Sequence, residues 1–129
     1  MARMPGERLR VLVVEDSAAM RSFVTAALEQ GGPFDVTTAV SGFDALRSLP
    51  RAHFDLIITD INMPDINGLE LVKFVRESER HKLTPLVLIS TDSRSVDRER
   101  GLKLGADAYV VKPFEPKELL DVVTQLVKR

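Results

Sequence analysis

The sequence predicts an α/β protein: a doubly wound parallel sheet of five strands, (βα)5, with helices on both faces. Short apolar runs alternate with amphipathic stretches along the 129 residues. The connections between them are short, as in units that cross over between parallel strands. Most strand candidates are near-continuous apolar runs, the pattern of strands covered on both faces.

The first strand is "LRVLVVE" (Leu9 to Glu15), rich in Val and without clean alternation. "SAAMRSFVTAALEQGG" follows, with Met20, Val24, Ala27 and Leu28 on one helical face and Gly31 as its stop. "FDVTTAV" (Phe34 to Val40) is a second, more polar strand, expected at an edge. "SGFDALRSL" reads as a helix, with Ser41 near its N-cap and Pro50 after its end. "FDLIITD" is the third strand, and "GLELVKFVRESER" a helix with Leu69, Val72 and Val75 at helical spacing and Leu71 widening the face. Pro85 opens the fourth strand, "PLVLIS"; "SVDRERGLKLGA" is the fourth helix and "DAYVVK" the fifth strand. The last helix is "EPKELLDVVTQLVKR", where Pro116 suits the first turn and Lys128 and Arg129 the C-terminal end. Residues 1–8 are expected to be a flexible N-terminal segment and residues 9–129 a single domain.

Composition narrows the function classes. Hydrophobic residues make up 44% and charged residues 29%, with a formal net charge of −1. That balance argues against a general electrostatic grip on nucleic acid or an anionic membrane. No apolar run reaches transmembrane length, and "MARMPGERLR" is too short and polar for a signal peptide. There is no cysteine, which excludes disulfides and thiolate metal sites and leaves a cytoplasmic location unopposed. His53 and His81 both lie in polar segments and read as surface histidines, so no histidine metal site is expected.

The chemistry gathers at strand ends. The first strand ends with Glu15 and Asp16, the third with Asp60, the fourth with Ser90 followed by Thr91, and the fifth with Lys112 followed by Pro113. In a parallel sheet these ends share one edge, so residues far apart in sequence converge. Taken singly, each has an ordinary alternative: Asp16 could cap a helix, Ser90 open a loop, Lys112 extend into solvent. Taken together, three acids at one edge repel one another and call for a compensating cation. Oxygen ligands with room for water and phosphate suit Mg2+. A carboxylate can attack phosphorus and form an acyl phosphate, a reaction that mainly needs positioning and charge neutralisation. Asp60, alone on a central strand, is the candidate nucleophile; Glu15 and Asp16 are better arranged as metal ligands.

These residues, in this order on these strands, resemble the response-regulator receiver domain of two-component signalling. The matching stretches are "VEDS", "DINMPDINGLELV", "LIST" and "AYVVKPF", and the resemblance covers about residues 8–128. "D-x-N-M-P-x-x-x-G" and "YVVKPF" look particularly like stand-alone, CheY-like chemotaxis receivers. The resemblance implies the flavodoxin-like strand order 2-1-3-4-5. It implies phosphorylation of Asp60 by a histidine kinase or phosphotransfer protein, with Mg2+ held by Asp16 and Asp60, by Glu15 partly through water, and by the Asn62 carbonyl. Lys112 is expected to contact the phosphoryl oxygen, Ser90 to reach toward it, and Tyr109 to move into the space Ser90 leaves. The surface of the fourth helix, fifth strand and fifth helix then changes for a downstream protein partner. A cis Lys112–Pro113 bond is also expected from the resemblance.

The departures from the family pattern concern rate. The acid pair is Glu-Asp, Ser90 stands for the more usual Thr, and Thr91 for a smaller residue. Asn62 and Asp92 occupy the positions that tune hydrolysis of the acyl phosphate in this family. Thr91 is expected to slow that hydrolysis by narrowing access to Asp60. Gly101 inside the fourth helix has two readings, close packing or a soft switch helix, because Gly costs about 1 kcal/mol relative to Ala there. Val122 beside the core positions of the last helix is open to a partner-facing reading.

Three functions compete. The first is a phosphorylatable receiver whose output lies with a protein partner. The second is a scaffold of the same fold that no longer uses phosphate, and the third an aspartate-nucleophile phosphatase. The third class resembles D-x-D motifs, whose second acid acts on the leaving group; here that position is Asn62, and no cap domain is present in the sequence. A nucleotide site fails for want of a glycine-rich loop after the first strand.

Overall fold

The computed structural model describes residues 7–91 and 95–128. The elements run β1 (Leu9–Val14), α1 (Ala18–Gly31), β2 (Phe34–Ala39), α2 (Gly42–Ser48), a 3-10 turn (Leu49–Arg51), β3 (Leu56–Asp60), α3 (Gly68–Glu77), β4 (Leu86–Ser90), α4 (Ser95–Leu104), β5 (Ala108–Val111) and α5 (Pro116–Val127). The sheet is parallel throughout, in the order β2-β1-β3-β4-β5. This is the expected order, and β2 is an edge strand as its polar pattern implied.

Alternation along each strand divides the core between the two faces. Leu12, Val14, Ile57, Leu86 and Leu88 join Leu71, Val72 and Val75 of α3 in one cluster. Val11, Val13, Leu56, Ile58, Val87 and Ile89 join Val24 and Leu28 of α1 and Leu119, Val123 and Leu126 of α5 in the other. Burial of both faces explains why the central strands are apolar at nearly every position.

The helix starts are built locally. Ser17 caps α1 by accepting from the Met20 N–H, so Asp16 is not the cap. Ser41 caps α2 by accepting from Asp44 N–H. Asn67 and Glu70 form a capping box at α3.

Several sequence expectations need correction. His81 is not a surface histidine: it is fully buried. Its Nε2 pairs with the Leu49 carbonyl at 2.9 Å and its Nδ1 with Thr84 Oγ1 at 3.2 Å, and its ring lies 5.9 Å from that of Phe54. His53 does remain exposed, pairing with Asp55 at 3.2 Å. The polar loop after α3 thus folds under the turn after α2, where its polar groups find partners. The same loop ends α3 at Glu77, short of the expected Arg80. Arg76 draws it back by donating to the His81, Lys82 and Thr84 carbonyls, while also binding the Gly105 carbonyl and the Asp107 carboxylate. Pro50 follows the end of α2, as expected, and lies within the 3-10 turn Leu49–Arg51.

Gly101 is buried, and a Cβ there would stand 2.4 Å from Leu88 Cδ1. This favours close packing over softness. Val122 is half-buried and packs against the core, which removes the reason to read it as partner-facing. Of the N-terminal segment 1–8, Arg8 donates to Asp35 at 2.6 Å and to the Phe34 carbonyl at 2.8 Å. Among the described residues, no helix is long and apolar enough to cross a membrane.

Candidate functional site

The ladder positions Glu15. Its N–H donates to the Ala39 carbonyl at 3.0 Å, carrying β-type pairing one residue past β1, and the side chain is buried with it. Its Oε2 accepts from Ser17 N–H at 3.1 Å and its Oε1 from Lys112 Nζ at 2.8 Å. Burial pushes the Glu15 carboxyl up from its ordinary value; the Lys112 and Ser17 hydrogen bonds oppose that shift, and the Asp60 charge adds to it. Asp16, the next residue, is exposed.

Asp60 ends β3 with little exposure. The following Ile61 N–H bonds to the Ile89 carbonyl of β4 at 3.0 Å. Gly68 packs directly on this backbone: a Cβ there would lie 2.3 Å from the Asp60 carbonyl oxygen. The close approach of α3 therefore requires a glycine at its first position.

Lys112 enters from the other side. Its N–H donates to the Ser90 carbonyl at 2.7 Å, and the Lys112–Pro113 peptide is cis, as expected. Its Nζ lies 3.4 Å from Asp60 Oδ1. Ser90 is fully buried at the end of β4, and Thr91 beyond it is exposed. Tyr109 pairs in register with Leu88 and packs half-buried against the core on the α3 face. Asn62 is exposed on a groove shared with Glu70, Asp97 and Arg100. Asp92 lies outside the described residues.

The edge thus brings Glu15, Asp16, Asp60, Ser90 and Lys112 together. One oxygen from each of the three acids can be chosen so that all lie within 4.8 Å of one another. With three carboxylates beside one ammonium, negative charge is in surplus. The donors are hard oxygens, partly exposed through Asp16, which fits Mg2+ with several of its waters retained. Arg21 was not evident from sequence; it fixes the loop by donating to the Glu15 carbonyl at 2.8 Å. Asp65 was also missed; it bonds to the start of α2.

A five-stranded parallel sheet with an acidic, lysine-bearing C-terminal edge is the arrangement of a regulatory receiver domain. The chain belongs to the response regulator receiver domain family, which it matches over residues 11–124. It is similar to the chemotaxis protein CheY1 of Helicobacter pylori (strain ATCC 700392 / 26695), with 41% identity over 119 residues, 89% of this chain and 96% of that protein. Its fold is similar to the chemotaxis response regulator CheY4 of Vibrio cholerae, with a TM-score of 0.87 and 36% identity over 92% of this chain and 98% of that one. It is also similar to the receiver domain of the sensor histidine kinase PA1611 from Pseudomonas aeruginosa PAO1, with a TM-score of 0.86 and 27% identity over 95% and 99% of the two chains. That structure has a magnesium ion coordinated in its active site cleft.

Proposed function

We propose that Asp60 is the phosphoacceptor of a CheY-like response regulator, and that this chain signals by changing its protein contacts. The observation that carries the reading is the carboxylate at the end of β3, with Lys112 Nζ at 3.4 Å and two further acids within reach of a shared cation. Asp60 attacks the phosphorus of a phosphohistidine on a histidine kinase or phosphotransfer protein. A bond forms between its Oδ and phosphorus, the phosphorus–nitrogen bond breaks, and the imidazole leaves with a proton. Asp16 and Asp60, with Glu15 partly through water and the Asn62 carbonyl, would hold Mg2+. Bound there, Mg2+ would neutralise the phosphoryl oxygens.

Lys112 gives the phosphoryl group a fixed positive partner, and the Ser90 hydroxyl donates to it. Asn62, Thr91 and Asp92 govern access of the hydrolysing water. Tyr109 couples the change to the face formed by α4, β5 and α5, where Val96, Leu102, Leu104 and Val111 are exposed. A downstream protein reads that face, with no direct nucleic-acid contact. In this reading the protein works in the cytoplasm.

The test is incubation with Mg2+ and acetyl phosphate, read by intact mass. Wild type is expected to gain one phosphoryl group, while Asp60→Asn and wild type in excess chelator gain none. Thr91→Ala is expected to lose the group faster than wild type. An adduct that persists in Asp60→Asn would overturn the assignment.

A further inference from the structure

The loop between β3 and α3 carries Asn62, two residues after Asp60. Its ends are joined, because Gly68 N–H donates to the Ile61 carbonyl at 2.8 Å. Its far side is fastened to a different element. Asp65 Oδ1 accepts from Gly42 N–H at 3.1 Å, and Oδ2 from Phe43 N–H at 2.9 Å. These are the opening residues of α2, whose first N–H groups have no partner within the helix. The helix has its own cap in Ser41, which serves Asp44 N–H, so Asp65 is a second cap supplied from the phosphorylation loop.

The surfaces meet without a gap. A Cβ on Gly42 would stand 2.5 Å from Ile66 Cβ and 3.1 Å from the Ile66 carbonyl oxygen. Between the closed ends and this fastening lie Asn62, the buried Met63 and Pro64. Pro64 has a fixed φ, so little freedom remains with which Asn62 could move. The backbone hydrogen bonds, that from Phe43 foremost, hold the Asp65 carboxyl down at about 2. The fastening is therefore charged, and charge-assisted bonds of this kind are stronger than neutral ones.

We propose that Asp65 is a positioning residue for the phosphorylation site: by clamping the loop to α2 it fixes Asn62 beside Asp60, and so sets both cation affinity and the lifetime of the acyl phosphate. The proposal rests on the phosphorylation of Asp60 for its second effect only.

The test compares four variants for Mg2+ binding, by calorimetric titration without phosphodonor, and for acyl phosphate lifetime by intact mass. Asp65→Ala is expected to weaken Mg2+ binding about 10-fold, the lower range for loss of a group that orients metal ligands, and to shorten the lifetime. Gly42→Ala, which pushes Ile66 away from α2, is expected to act in the same direction. Asp65→Asn, which keeps an acceptor oxygen, should restore part of both properties. Ser41→Ala removes the helix's own cap without touching the loop and should leave both unchanged. Circular dichroism establishes folding for each; if Asp65→Ala does not fold, Gly42→Ala and Asp65→Asn against Ser41→Ala decide. Wild-type Mg2+ binding in the folded clamp variants overturns the proposal, as does a Ser41→Ala effect equal to theirs. If wild type takes no phosphate on Asp60, the phosphorylation reading falls while the Mg2+ titration still judges the clamp.

Discussion

The amine of Lys112 lies closer to Glu15 than to Asp60, at 2.8 Å against 3.4 Å. One side chain thus bridges strand ends separated by 97 positions in sequence. Those partners were legible beforehand because a parallel sheet puts all its C-terminal strand ends on one edge. No such rule applied to His81 or Asp65, whose surroundings come from loops that only the folded chain brings together. His81 accordingly offers a test that separates stability from chemistry. It sits near the start of β4, at the opposite sheet edge from Asp60. His81→Leu would strand the Leu49 carbonyl and the Thr84 hydroxyl, now its partners at 2.9 Å and 3.2 Å. A buried group left unsatisfied costs about 1–3 kcal/mol. Urea unfolding should register a loss of that order, while acetyl phosphate still modifies the folded variant.

At the scale of elements, α4 differs from its neighbours. Helix α3 carries a clear apolar stripe, with Leu69, Leu71, Val72 and Val75 buried. In α4, Val96 and Leu102 are exposed while Gly101 is buried, so it approaches the sheet through a residue with no side chain. Hydrophobic periodicity could find α3 readily, but α4 only weakly, because its contact depends on small size. Gly101→Ala pits two effects against each other. Helix propensity favours Ala by about 1 kcal/mol. Against this, the new methyl would meet Leu88 Cδ1 at 2.4 Å, and Leu88 is fully buried. Forcing extra volume into a packed core costs about 1–3 kcal/mol. The expected outcome is lower stability in chemical denaturation; a more stable variant would mean that Leu88 has room to move.

For the whole molecule, the alternation of strands and helices was readable because the central strands bury both faces and each helix only one. Element ends were less so, since capping and long-range bonds set them. Arg76 illustrates this, ending α3 early by gathering carbonyls from the following loop. The same architecture places Tyr109 on β5, half-buried and in register with Leu88, two residues before Ser90. The sequence contains one Tyr and no Trp. Tyrosine emission from this protein therefore arises from a single ring on the strand that leads to Lys112. Adding Mg2+ and acetyl phosphate should change that emission in wild type, and in Asp60→Asn only to the extent that Mg2+ alone does. The chain carries its own optical probe, and the proposed inward movement of Tyr109 can be tested in solution without any label.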